Sequence, residues 1–122
     1  MAKHNEFGAW GEQLAVEALV RKGCAIVERN WKSGHYEIDI IAMRGNRLIF
    51  VEVKTRVKDE EEALAAVNRR KIHRICNAAH HYILMSGLNH EVQFDIITIV
   101  GSETDYKLHH IEDAFFPPLK SY

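Results

Sequence analysis

The sequence is poor in crosslinks and chain breakers, with two cysteines and two prolines among 122 residues. Cys24 and Cys76 stand alone with no Cys-x-x-Cys spacing, which excludes a disulfide framework or a zinc ribbon. They read as small buried apolar residues in a reducing compartment. No apolar run approaches the ~20 residues of a membrane span. Met1-Ala2-Lys3-His4-Asn5-Glu6 lacks the apolar stretch of a secretory signal. A cytoplasmic protein without a membrane partner is expected. Internal repeats, linkers and low-complexity tracts are also missing.

An excess of one charge is missing too, since 16 basic residues meet 17 acidic ones for a net charge of -1. The sum conceals a segregation. Residues 1–58 carry ten basic and seven acidic side chains, 59–62 four acidic ones, 63–90 four basic ones, and 91–122 two basic and six acidic ones. If carboxylates of the first block hold a divalent cation, the surface of the first and third blocks becomes basic, so near-neutrality does not exclude DNA. What the chain does have is an ordinary globular composition, 47% hydrophobic and 27% charged. Residues 1–122 are read as one domain, long enough to bury roughly two-thirds of its unfolded surface without staples.

Phe7, Trp10, Leu14 and Ala18 keep helical spacing up to Gly23, which predicts a helix over 7–22. A short strand is expected at 25–29 and a loop at Lys32-Ser33-Gly34. Tyr36–Met43 and Arg47–Thr55 are stronger strands, and Gly45-Asn46 between them suits a tight hairpin. Residues 57–62 read as exposed and charged. Leu64, Val67, Ile72, Ile75, Ala79 and Tyr82 then predict one helix ending at Gly87, or two broken near Asn68. Val92–Val100 reads as a strand and Lys107–Ile111 as a short edge strand. The order α-β-β-β-α-β-β implies an α/β fold, a mixed sheet flanked by helices.

A hairpin centred on Gly45-Asn46 sets Asp39 opposite Glu52 and Glu37 opposite Lys54, all on one face with Ile41, Phe50 and Leu48. Opposed like charges destabilise a strand pair by up to ~1 kcal/mol unless something offsets them. A shared cation would do so. Hard carboxylate oxygens suit Mg²⁺ or Mn²⁺, which leave positions for water and phosphate. Lys54 beside them is placed to orient attacking water and stabilise charge during phosphodiester hydrolysis. Salt-bridged strand charges, Glu37 with Lys54 and Asp39 with a nearby Lys or Arg, explain the same pattern without chemistry.

Glu12 lies on a helical row with Ala15, Val16 and Leu19, bordering the buried face, where an acid needs a partner. Lys71 shares a row with Ile75, Ala78 and Tyr82, and Arg69, Arg70 and Arg74 surround it as candidate phosphate contacts or as a solvated basic face. The adjacent pairs His80-His81 and His109-His110 point in different directions and make poor zinc chelators. Trp10 and Trp31 read as packing residues rather than base-stacking platforms. Asp95 after Phe94 either buttresses a site or pairs with a helix.

Gly11-Glu12, Arg29-Asn30-Trp31, Glu37-Ile38-Asp39-Ile40-Ile41-Ala42, Phe50-Val51-Glu52-Val53-Lys54-Thr55-Arg56, Lys71 and Phe94-Asp95 together resemble the bacterial YraN-like family. That family is similar to archaeal Holliday junction resolvases of the PD-(D/E)xK nuclease superfamily. The resemblance covers residues 7 to about 116. It implies a restriction-endonuclease-like fold and a Mg²⁺- or Mn²⁺-dependent DNA endonuclease, with branched or junction DNA as a candidate substrate and a homodimer as a candidate assembly. Asp39 would be the motif aspartate and Glu52 with Lys54 the (D/E)xK pair, Asp39 and Glu52 holding the metal. Glu12 would be the helix acid, Glu37 would help position metal or water, and Lys71 would match the polar residue on the following helix. Two positions depart from the pattern, Ile38 where resolvase-like members carry proline and Tyr36 where this family often has glycine. Tyr36 is expected to narrow the approach to the site. The rival reading is a non-catalytic nucleic-acid-binding or adaptor module that retains the fold.

Overall fold

The computed structural model describes residues 2–58 and 60–117. Its element order is α1 (Ala2–Arg21), β1 (Ala25–Ser33), β2 (Tyr36–Arg44), β3 (Arg47–Arg56), α2 (Glu60–Ala65), α3 (Arg69–Ser86), β4 (Glu91–Ser102) and β5 (Asp105–Ile111). Helix α1 stops where predicted. Gly23 takes φ +90°, its N–H reaches Val20 O at 3.0 Å, and Cys24 N reaches Leu19 O at 3.0 Å. This is a Schellman ending that satisfies the last carbonyls.

Of the two alternatives for the segment from Leu64 to Gly87, the structure has the second, two helices. Asn68 breaks it by acting as N-cap of α3, its side chain accepting from Lys71 N at 3.0 Å. Gly87, at φ +70°, closes α3 through its N–H on Ile83 O. The first strand is longer than expected and runs through Ser33, so the turn falls on Gly34-His35. The last two strands also begin earlier than predicted, at Glu91 and Asp105.

The five strands lie in the order β1-β2-β3-β4-β5. All neighbours are antiparallel except β3 and β4, which run parallel from Arg47↔Glu91 to Arg56↔Val100. The α2–α3 segment is the crossover that a parallel pair requires. One sheet face, with Ile40, Ala42, Ile49, Val51, Ile97 and Ile99, packs on Ala15 and Leu19 of α1. The other, with Ile41, Leu48, Phe50 and Phe94, packs on Ile75, Ala78, Ala79 and Tyr82 of α3. Helices on both faces explain why β3 and β4 read as nearly unbroken apolar runs. The result is a small α/β domain with a mixed sheet between helices, consistent with a restriction-endonuclease-like fold. Among the described residues no helix is long and apolar enough to cross a membrane.

Candidate active site

The Gly45-Asn46 turn sets the predicted register, and the strands pair from Arg44↔Arg47 to Ile40↔Val51. Pairing ends there. Beyond this point β2 continues only against β1, with Trp31↔Ile38 and Lys32↔Glu37, and β3 only against β4. The sheet forks, and Asp39 sits in the fork with Oδ2 accepting a hydrogen bond from Val53 N at 2.9 Å.

The fork modifies the expectation that four charges share one face: Asp39 still meets the Glu52 carboxylate but also opens toward α1. Side-chain alternation along β2 slips at Asp39, since Ile38 and Ile41 both join the α3-side cluster while Ile40 joins the α1 side. Asp39 therefore lines a cleft of about 330 Å³ under α1, with Gly8, Ala9, Glu12, Asn30, Val53 and Thr55. Glu52 and Lys54 keep the α3 side. The predicted cross-strand pair of Glu37 with Lys54 does not form, because the strands have parted before reaching it.

Lys54 pairs along its own strand instead, its Nζ 3.1 Å from Glu52 Oε2. Lys71 approaches the same oxygen at 3.4 Å. The Glu52 side chain is only 5% exposed, so the two ammonium groups supply the compensation a buried carboxylate needs. The Asn68 cap fixes the backbone of Lys71 in the first turn of α3, which aims that side chain across the sheet.

Among the described residues no cation forms an ion pair with Asp39 at this range. Burial, then the neighbouring Glu52 carboxylate, push its proton affinity up to a pKa of about 7, against the pull of the Val53 N–H and of Lys54. Two carboxylates brought together have the donor chemistry of a divalent-cation site. Among the described residues no group of three or more His, Cys, Asp or Glu side chains converges, so such a site rests on two carboxylates.

Glu12 finds the partner that its position demands. Its Oε1 accepts from Asn30 Nδ2 at 2.9 Å and lies 3.4 Å from Arg29 Nε. Asn30 adopts φ +50°, a left-handed conformation that asparagine tolerates better than most residues. No role is predicted for Asn30 or Arg29 from sequence beyond their place in the matching segment. The available signal is an asparagine, a poor strand former, in the middle of a strand.

Helix α1 comes down on β3 at Gly11, where a side chain would collide with Thr55. Glu37 is exposed and lines a second cavity with Lys71 and Arg74. Arg69 and Arg70 are exposed at the start of α3 with Arg74, forming the basic face. Asp95 belongs elsewhere. Fully buried on β4, in register with Val51, it accepts from Gln93 Nε2 at 2.9 Å and Asp113 N at 3.1 Å and contacts His110 Nε2 at 2.7 Å. Trp10 and Trp31 pack edge-on against Tyr106 and Tyr82. Cys24 and Cys76 are free thiols, their pKa values raised chiefly by burial.

Residues 11–99, which hold every segment of the fork, match the family described as uncharacterised protein family UPF0102. A UPF0102 protein of Bacteroides fragilis is 46% identical over 121 residues, covering 98% of this chain and 99% of its own. One from Bacteroides thetaiotaomicron is 44% identical over 124 residues, covering 98% and 99%. One from Flavobacterium psychrophilum is 42% identical over 117 residues, covering 95% and 98%. Identity at this level over nearly whole chains leaves one assignment: the chain belongs to the UPF0102, YraN-like family.

Proposed function

We propose that the protein is a Mg²⁺- or Mn²⁺-dependent endonuclease that hydrolyses DNA phosphodiester bonds at the fork. The observation that carries this reading is the meeting of Asp39 and Glu52 at the end of the β2–β3 ladder, with Lys54 Nζ 3.1 Å from the Glu52 carboxylate. Asp39 and Glu52 lie within hydrogen-bonding reach of each other, and two protein carboxylates are within what Mg²⁺ uses. Bound there, the ion would supply Lewis-acid activation of the phosphate.

The chain's own residues do the rest. Lys54 Nζ orients the attacking water and neutralises charge that builds on the phosphoryl oxygens. Lys71, held by the α3 cap, balances Glu52 and presents a second cation to the DNA backbone. Glu12, anchored by Asn30, closes the α1 side of the cleft, and exposed Glu37 lies on the other side. Arg69, Arg70 and Arg74 extend the cationic surface along which a phosphate chain would run.

A panel of duplex, single-stranded and branched DNA incubated with Mg²⁺ or Mn²⁺ tests the reading. Asp39→Asn and Glu52→Gln keep volume while removing ligand charge, and each should abolish cleavage with the fold intact. Lys54→Ala should lose most turnover but still bind metal. Equal cleavage by wild type and both carboxylate variants would refute the assignment. The ion pairs that already serve Glu52 favour a second reading, a nucleic-acid-binding module that cleaves nothing; DNA binding without cleavage in either metal would select it.

A further inference from the structure

Beside the fork, on the α3 side, the tip of the β1–β2 hairpin carries a run of rings that core packing does not require. His35 lies against Tyr36 in a tilted contact, with centroids 4.3 Å apart and planes 33° from parallel. Tyr36 stacks in turn on His81 of α3 at 4.9 Å and 25°. His81 is held by Ser33 Oγ at 3.1 Å and is backed by Trp31. The inner rings are half-buried, but His35 is exposed, so the stack ends in a ring open to solvent.

Two of these rings, His35 and Tyr36, border a cavity of about 340 Å³ whose other walls are Glu37, Lys71, Arg74, Ile75 and Asn77. It brings together the chemistry a nucleotide needs. Flat rings meet a base, the Asn77 amide and the Glu37 carboxylate offer hydrogen bonds to its edge, and Lys71 and Arg74 meet a phosphate. Lys71 also belongs to the fork, 3.4 Å from Glu52 Oε2. A phosphate on Lys71 therefore stands between the cleavage centre and the ring stack. Hairpin packing alone accounts for Tyr36 and Trp31, which join the α3-side core. It does not account for an exposed ring continuing the stack beside two cations.

We propose that this cavity binds an unpaired nucleotide base next to the phosphate under attack, so that the substrate class is DNA with single-stranded character at the cleavage point. This rests on the endonuclease reading of Glu52 and Lys54. A base in a duplex has both faces covered by its neighbours and is not available to His35, whereas an unstacked base extends the ring stack by one. Stacking on aromatic side chains is tolerant of sequence because every base has a π-face, so the cavity selects for strand separation rather than for a sequence.

The test is binding in EDTA, where no cleavage occurs. The probes are a fluorescein-labelled single-stranded deoxyoligonucleotide and the same strand with abasic residues throughout. Wild type should bind the base-bearing strand roughly 5- to 150-fold more tightly, the range of one to a few kcal/mol of stacking. His35→Ala removes an exposed ring without touching the core and should cut that preference severalfold while leaving the abasic affinity unchanged. Tyr36→Ala should do the same and Tyr36→Phe should retain the preference. Equal affinity of wild type for the two strands, or a preference that survives both alanine substitutions, would overturn the proposal. A cleavage assay in Mn²⁺ separates the two readings. Cleavage with no base preference refutes the cavity alone, and base preference with no cleavage in any metal refutes the nuclease alone.

Discussion

Gly11 of α1 rests directly on the Thr55 side chain of β3, leaving no space for a β-carbon between helix and sheet. The contact fixes how closely Glu12, the next residue, approaches the cleft that Asp39 lines. Gly11→Ala gains about 1 kcal/mol of helix propensity but overpacks this contact, which costs about 1–3 kcal/mol. A net loss of up to ~2 kcal/mol is expected in the wild-type background. With Thr55→Ala present, the same substitution should become stabilising. Urea denaturation of the four proteins reads the sign change, and an identical effect in both backgrounds would show that the helix simply shifts.

Glu52 shares one oxygen between Lys54 and Lys71. Removing either lysine leaves a cation in place and should cost about 1 kcal/mol. Removing both strands a buried carboxylate and should cost about 3–5 kcal/mol, well beyond the sum. Adding Glu52→Gln to the double variant should restore most of the loss. Additive single effects in denaturant melts would mean that the two ammonium groups do not act on the same charge.

Burial and Glu52 raise the Asp39 pKa from its ordinary 3.8 to about 7. The folded protein then keeps a proton that the unfolded chain releases, so stability falls as pH rises from about 4 to 7 and levels off above. Asp39→Asn should remove that slope, gaining on wild type with rising pH in EDTA. Parallel stability curves for the two proteins would place the titrating group elsewhere.

A cation binding at Asp39 and Glu52 competes with that proton. Mn²⁺ at ten times its Kd should stabilise the wild type by about 1.4 kcal/mol, a rise of roughly 3–8 °C in Tm. The increment should grow with pH toward 7 and largely vanish in Asp39→Asn. A wild-type midpoint indifferent to millimolar Mn²⁺ at pH 8 and fixed ionic strength would remove the metal from the proposal.

Arg69, Arg70 and Arg74 lie exposed around the start of α3. If they meet phosphates, each replacement by Ala should weaken DNA binding for every sequence and lower the salt slope of the binding constant by ~1. Unchanged slopes in fluorescence anisotropy titrations would assign them to a solvated face.

The hairpin register was legible because a two-residue turn at Gly45-Asn46 leaves one way to pair apolar faces. Both helix endings were legible from Gly23 and Gly87. The fork was not. Its cause is a side chain, the Asp39 carboxylate, taking the Val53 N–H, and apolar spacing does not reveal that competition. The sequence pattern therefore located Asp39, Glu52, Glu37 and Lys54 within one hairpin but gave no sign that Asp39, while meeting Glu52, also opens onto the cleft under α1. Glu12 was recognisable as an acid on a buried border, while its partner Asn30 depended on a backbone conformation that an irregular strand β1 supplies. Asp95 could not be assigned because its partners, His110 and the Asp113 N–H, come from β5 and the turn after it.

The single parallel pairing gives the contacts of the site unequal loops to close. Asp39 and Glu52 belong to strands joined by a two-residue turn, so the chain brings them together through a short loop. Lys71 arrives with α3, and β4 docks on β3 only after a connection spanning Arg47 to Glu91 closes. Loop closure makes that contact the slower and entropically dearer one. The two acids are thus tied by a shorter loop than the one that brings the α3 lysine to Glu52. The hairpin by itself lacks the Lys71 charge, and the crossover that completes the sheet also supplies it.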